Sequence, residues 1–108
     1  MHDEATREPW SHFYDRSGAT VKVGDIIAYA HAVGRAATLR IGKVLKIERV
    51  HTEFMRRSAG WAIQVQGVEE FSFGAPRLCK RQGVLLYPER IIKLSTIPED
   101  IATLLEPV

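Results

Sequence analysis

TLRIGKVLKIERV, residues 38–50, is the longest run of the chain that reads as a single element, and its reading decides the fold. Leu39, Ile41, Leu45 and Ile47 share one parity, as the inward face of a strand does. Lys43 interrupts that series, Val44 falls on the other parity, and Gly42 sits at the break. A glycine where the phase falters marks a bulge or sharp bend, which lets one long strand curl and serve two parts of a small barrel. A helix is the competing reading. The β-branched residues and the glycine argue against it.

Upstream of this strand, Gly24-Asp25 is a turn signal that leads into Ile26-Ile27-Ala28-Tyr29-Ala30, an apolar run of strand length. The small residues from His31 to Ala37 predict a connecting loop. Phe13-Tyr14 and Val21-Lys22-Val23 flank Asp15-Arg16-Ser17-Gly18, and this spacing predicts a leading hairpin, since Asp starts turns and Gly supplies positive φ. Residues 1–9 are polar and aperiodic, so they read as a disordered tail before a single domain over residues 10–108.

Downstream, residues 51–60 read as a loop that ends in Ser58-Ala59-Gly60. Trp61, Ile63 and Val65 alternate with Ala62, Gln64 and Gln66, the period of two expected of a half-buried strand. Gly67 offers a second bulge, and Phe71 and Phe73 keep the same parity. A basic loop between Gly74 and Gly83 precedes a short strand at Val84-Leu85-Leu86-Tyr87, a tight turn at Pro88-Glu89-Arg90 and a last strand at Ile91-Ile92-Lys93-Leu94. Thr96 and Glu99 have capping-box spacing, with Pro98 in the first turn. Ile97, Ile101, Leu104 and Leu105 recur as on one helical face. The expected fold is mainly β: a small five-stranded barrel with a leading hairpin and a short C-terminal helix.

Val23-Gly24-Asp25, Gly42-Lys43-Val44 and Pro88-Glu89-Arg90-Ile91 give the chain, over roughly residues 20–95, a resemblance to small SH3-like β-barrels. Domains related to the KOW motif and some bacteriophage accessory proteins share this look. The resemblance implies a barrel and a phage-type accessory role, in the host cytoplasm if the protein is phage-encoded. The chain lacks the dense basic tail of a ribosomal KOW protein. Such motifs specify turns and curled strands, so they speak for fold rather than activity.

The net charge of +2 hides an uneven distribution. Residues 1–25 carry net −2, residues 26–82 net +6, and residues 83–108 net −2. A basic middle of this kind points to a polyanionic partner, and a solvated β surface is the plainer explanation. No apolar run reaches the roughly 18 residues of a membrane span. The N-terminal segment has acids and aromatics where a signal peptide has a basic start and an apolar run, so a cytoplasmic protein is expected.

No standard catalytic constellation is present. His2, His12, His31 and His51 lack metal-ligand spacing, and one cysteine makes no zinc knuckle, so no metal or cofactor is expected. There is no GxSxG elbow, no GxxxxGK[ST] loop and no GxGxxG turn. Cys79 beside Lys80 and Arg81 is either a thiol activated by its cations or a small, partly buried hydrophobe. Glu69 and Glu70 are neighbours and so face opposite sides of a strand, which excludes an unaided acid/base pair.

The expectation is therefore a non-catalytic binding module. In an up-and-down arrangement the connections at 31–37 and 69–83 share one end, so Arg35, Arg40, Arg77, Lys80 and Arg81 gather there, with Phe73 and Phe71 offering ring faces for base stacking. Arg56-Arg57 marks the opposite end. Tyr29, Trp61 and Tyr87 are expected in the core, given their apolar strand context. DNA or RNA is the first partner class. The alternative is a protein partner, such as a host protein that is bound or inhibited, or a second copy of the chain.

Overall fold

The long strand read at residues 38–50 forms as Ala36–His51. The computed structural model describes residues 6–51, 60–70 and 74–108. In chain order its strands are β1 (Thr6–Pro9), β2 (His12–Tyr14), β3 (Thr20–Lys22), β4 (Ile26–Val33), β5 (Ala36–His51), β6 (Gly60–Glu69), β7 (Arg77–Leu78), β8 (Gly83–Leu85) and β9 (Ile91–Lys93), followed by helix α1 (Glu99–Leu105). Along one side β5 pairs antiparallel with β6. Along the other it pairs first with β4 and then with β1.

The β5–β6 register slips between Val44 and Lys46, which makes Leu45 the extra residue of a bulge. The bulge expected at Gly42 is thus displaced toward the C-terminus, and Gly42 and Gly67 face each other in regular register. An extra residue flips the side-chain phase, so Val44 and Ile47 both enter the main core. Ile41, which shares a parity with Ile47, packs on the opposite face. That flip is the physical cause of the broken alternation.

The fold is mainly β with one short helix, as expected, but it is not a five-stranded closed barrel. Seven strands form one open sheet in the order β7-β6-β5-β4-β9, with β1 added on β5 and β8 on β6; β2 and β3 make a separate ribbon. Closure requires hydrogen bonds between the two outer edges. Among the described strands β8 pairs only with β6 and β9 only with β4, and a 3₁₀ turn at Pro88–Arg90 carries the chain across the gap between them. Beyond Tyr29, β4 has no described strand beside it on the side away from β5.

Each face of the sheet is covered by a different element. Phe13 and Val21 from the β2–β3 ribbon pack with Ile27, Tyr29, Val44, Ile63, Val65 and Ile91 on one face. On the other, Ile101 and Leu105 of α1 pack on Val68, flanked by Ile26, Ile41 and Leu78. Burial from both sides explains why Ala62, Ile63 and every residue from Val65 to Val68 of β6 are buried, against the half-buried alternation expected there.

Three further expectations are corrected. Residues 6–9, assigned to a disordered tail, form β1 against residues 48–51, and Arg49 stacks its guanidinium on Trp61 at 4.3 Å and on Trp10 at 5.4 Å. The loop expected from His31 to Ala37 is a two-residue hairpin turn, Gly34-Arg35, because Gly34 takes φ 59° and lets Val33 pair with Ala36. The helix lacks the Thr96 capping box: Pro98, at φ −57° and ψ 143°, is its N-cap and contributes no side-chain bond. A residue before proline is driven out of the helical region, so Ile97 cannot open the helix.

The leading hairpin does form, and Asp15 is its keystone. Its Oδ1 accepts bonds from Ser17 N at 2.8 Å, Ser17 Oγ at 2.7 Å and Ala19 N at 2.9 Å, while Oδ2 accepts from Lys93 N at 2.7 Å. One buried carboxylate therefore closes the turn and fastens the ribbon to β9.

Candidate functional site

The inward rows of the sheet change character along the strands. Val44 and Val65 are apolar; the next inward pair is Gly42 and Gly67; beyond them stand Arg40 on β5 and Glu69 on β6. Tyr29 reaches across the two glycines. A Cβ at Gly42 would lie 2.8 Å from the Gln66 carbonyl oxygen and 3.1 Å from Tyr29 Cε1, and a Cβ at Gly67 would collide with the Tyr29 hydroxyl. Glycine is required here to give the ring a path, rather than to bend a strand.

Tyr29 is 6% exposed and forms the boundary between the dry core and a polar groove. Burial pushes its hydroxyl up to about 12, opposed by the nearby Arg40, which donates a hydrogen bond to it. The phenol is therefore neutral and lies beside Arg40. On the far side of Gly67, Cys79 N donates to Gly67 O at 2.9 Å, and Gln66 Nε2 donates to Cys79 O at 2.9 Å. These bonds carry the chain past β7 along the groove.

The groove has a volume of about 630 Å³. Tyr29 and Gly67 form its floor, Ala30 to Ala32 of β4 one wall, and the segment from Cys79 to Leu85 the other. Four of the expected basic residues line it: Arg40, Arg77, Lys80 and Arg81. Glu69 is the only acid among its described lining residues, and its Oε2 pairs with Arg77 Nε at 3.0 Å. Arg35 does not join them. It sits in the two-residue turn at the tip of the β4–β5 hairpin, about two strand rises, or roughly 7 Å, beyond the level of Ala32. Phe71, Phe73, Arg56 and Arg57 lie outside the described residues.

Cys79 is half-buried, and burial pushes its thiol up despite the pull of Arg40. It fits a small wall residue rather than an activated nucleophile. Tyr87, expected in the core, is instead 49% exposed, because β8 ends at Leu85 and the chain leaves the sheet two residues earlier than the apolar run suggests. Its ring carries the Arg90 guanidinium at 4.6 Å. Together with Val84, Leu86 and Ile91 it lines a recess of about 230 Å³ that shares Tyr29, Ala30, Val84 and Leu85 with the basic groove. The two spaces form one cleft along the unclosed seam, basic at one end and apolar at the other. The exposed apolar run from Val84 to Tyr87 was the available signal for this surface, and strand propensity concealed it.

A family described as a domain of unknown function, DUF7205, matches residues 13–60, less than half of the chain. That span takes in the β2–β3 ribbon, β4 and β5. Comparison with curated proteins and with solved structures finds no match. Among the described residues, no three His, Cys, Asp or Glu side chains cluster as a metal site would, and no helix is long and apolar enough to cross a membrane.

Proposed function

We propose that this protein is a non-catalytic binding module that holds a nucleic-acid strand by its phosphates in the basic groove. One observation carries the reading: four cations from β5, β7 and the segment after β7, up to 41 positions apart in sequence, converge on one groove with a single acid among its described lining residues. Phosphates are matched by such an array, and each neutralised phosphate releases counterions, so affinity falls steeply with salt.

Fluorescence anisotropy with a labelled oligonucleotide across a salt series tests this. Four phosphate contacts give a log–log slope between about −3 and −4, and replacing both Lys80 and Arg81 with alanine should roughly halve it. Absence of binding at low salt in the unaltered protein would end the proposal.

Glu69 sets an upper limit on the groove's attraction. Glu69→Gln removes the carboxylate that competes for Arg77, and affinity at low salt should rise about threefold, the scale of an exposed ion pair. An unchanged or weaker affinity in that variant would place the phosphates elsewhere.

The second reading, a protein-interaction module, is favoured by the open edge of β4 at residues 30–33. A partner strand can add to such an edge through main-chain bonds. Capture of an acidic peptide, with no oligonucleotide bound, would select it.

A further inference from the structure

Resting on the nucleic-acid reading of the groove, we infer that the bound strand is single and that one of its bases seats in the apolar recess at Tyr87. The recess adjoins the basic groove through a shared wall, so a backbone held by Arg40, Lys80 and Arg81 runs directly past it. Its volume of about 230 Å³ lies below the roughly 300–1,000 Å³ of drug-sized sites and suits one planar ring.

The chemistry of the recess is that of a stacking platform. Tyr87 is half-exposed, and the planar Arg90 guanidinium lies over its ring. Val84 and Leu86 are 51% and 52% exposed, an apolar surface larger than isolated side chains and without a described neighbour to cover it. Bases of a single strand can be splayed out onto aromatic rings and guanidinium planes, whereas a duplex keeps its bases inside its own stack. A basic track beside an aromatic seat is the combination that holds single strands with little sequence preference.

The test uses the full chain and a labelled single strand of about 12 nucleotides, within the range of site sizes for small binding folds. The same sequence as a duplex, an abasic strand of equal length and a polyglutamate of equal charge serve as comparisons. The single strand should bind about tenfold more tightly than the abasic strand, the scale of one stacked base. Tyr87→Ala should remove that advantage, so that the ratio of single-strand to abasic affinity falls to about one, and Tyr87→Phe should keep it. A 2-aminopurine placed in the strand should be quenched on binding to the unaltered protein, which gives a readout independent of any variant's folding.

Equal affinity for single and abasic strands, or an unquenched 2-aminopurine, overturns the inference while the phosphate-binding groove stands. Tight binding of the polyglutamate alone overturns both, and so does the absence of any binding.

Discussion

Replacing Asp15 with alanine is expected to lower stability by about 3 kcal/mol, because three backbone N–H groups lose the buried carboxylate that accepts them. For a domain of this length the melting temperature should fall by roughly 12–20 °C. The N–H groups of Ser17 and Ala19 belong to the turn itself, but that of Lys93 belongs to β9. Loss of the carboxylate therefore loosens the β2–β3 ribbon from the sheet, and with it the Phe13 and Val21 cover on the core. Asp15→Asn should fall between the two, since one oxygen still accepts while an NH₂ then faces a donor.

Asp15 also gives the stability a pH signature. Burial alone raises its carboxyl, but the bonds from Lys93, Ser17 and Ala19 outweigh burial and hold it below the ordinary 3.8. A carboxyl lowered on folding adds stability that is full above its unfolded value and is lost as pH falls through the folded one. The unaltered protein should therefore lose stability below about pH 4 in denaturant titrations, and Asp15→Ala should lose less over that window. Identical acid limbs in both proteins would show that the carboxylate is not held as described.

Gly67→Ala is expected to destabilise by about 2–3 kcal/mol, the scale of overpacking a filled core, and to weaken oligonucleotide binding at the same time. The added methyl collides with the Tyr29 hydroxyl and lies 3.0 Å from Arg40 Cδ and 3.2 Å from Cys79 Sγ, so all three must move. A companion change separates causes. Tyr29→Phe deletes the colliding oxygen, and the double variant Tyr29→Phe, Gly67→Ala should recover part of the lost stability in urea unfolding. Gly42→Ala should not be rescued in this way, since its nearest obstacle is the Gln66 backbone carbonyl at 2.8 Å. Equal losses in the single and double variants would mean that Tyr29 does not lie across the glycines.

How much of this was legible in the sequence depends on what left a trace in side chains. The β2–β3 ribbon, β4, β5, β6 and β9 carry apolar periodicity or turn residues, and each is found where those signals place it. β1 has no such trace. Its four residues are all exposed and pair through backbone bonds, which periodicity cannot register. The Gly34-Arg35 turn did carry a signal, glycine first in a two-residue connection, but the alanines around it read equally well as loop. The open seam was invisible for another reason: whether two outer edges meet depends on the curl of the whole sheet, and no local pattern reports it.

The candidate site was legible in part. Arg40, Arg77, Lys80 and Arg81 follow from alternation of connections, which survives the loss of the barrel because β4, β5 and β6 remain an antiparallel meander. Arg35 stands apart because the expected loop closes into a two-residue turn that carries it to the hairpin tip. Tyr87 was assigned to the core because an apolar run does not announce where its strand stops. Tyr29, Gly42 and Gly67 act through a contact across three strands, and only the register brings them together.

The central claim is that one cleft, basic at Arg40 and Lys80 and apolar at Tyr87, is the working surface. Its most direct test is a titration of isotopically labelled protein with a short single strand, followed by backbone amide chemical shifts. The account predicts shifts confined to the cleft, at Tyr29–Ala32, Arg40, Gly67–Glu69 and the segment from Arg77 to Ile91, with α1 and the β2–β3 ribbon unmoved. Shifts centred on α1 or on β1, or none at any strand concentration, would contradict it.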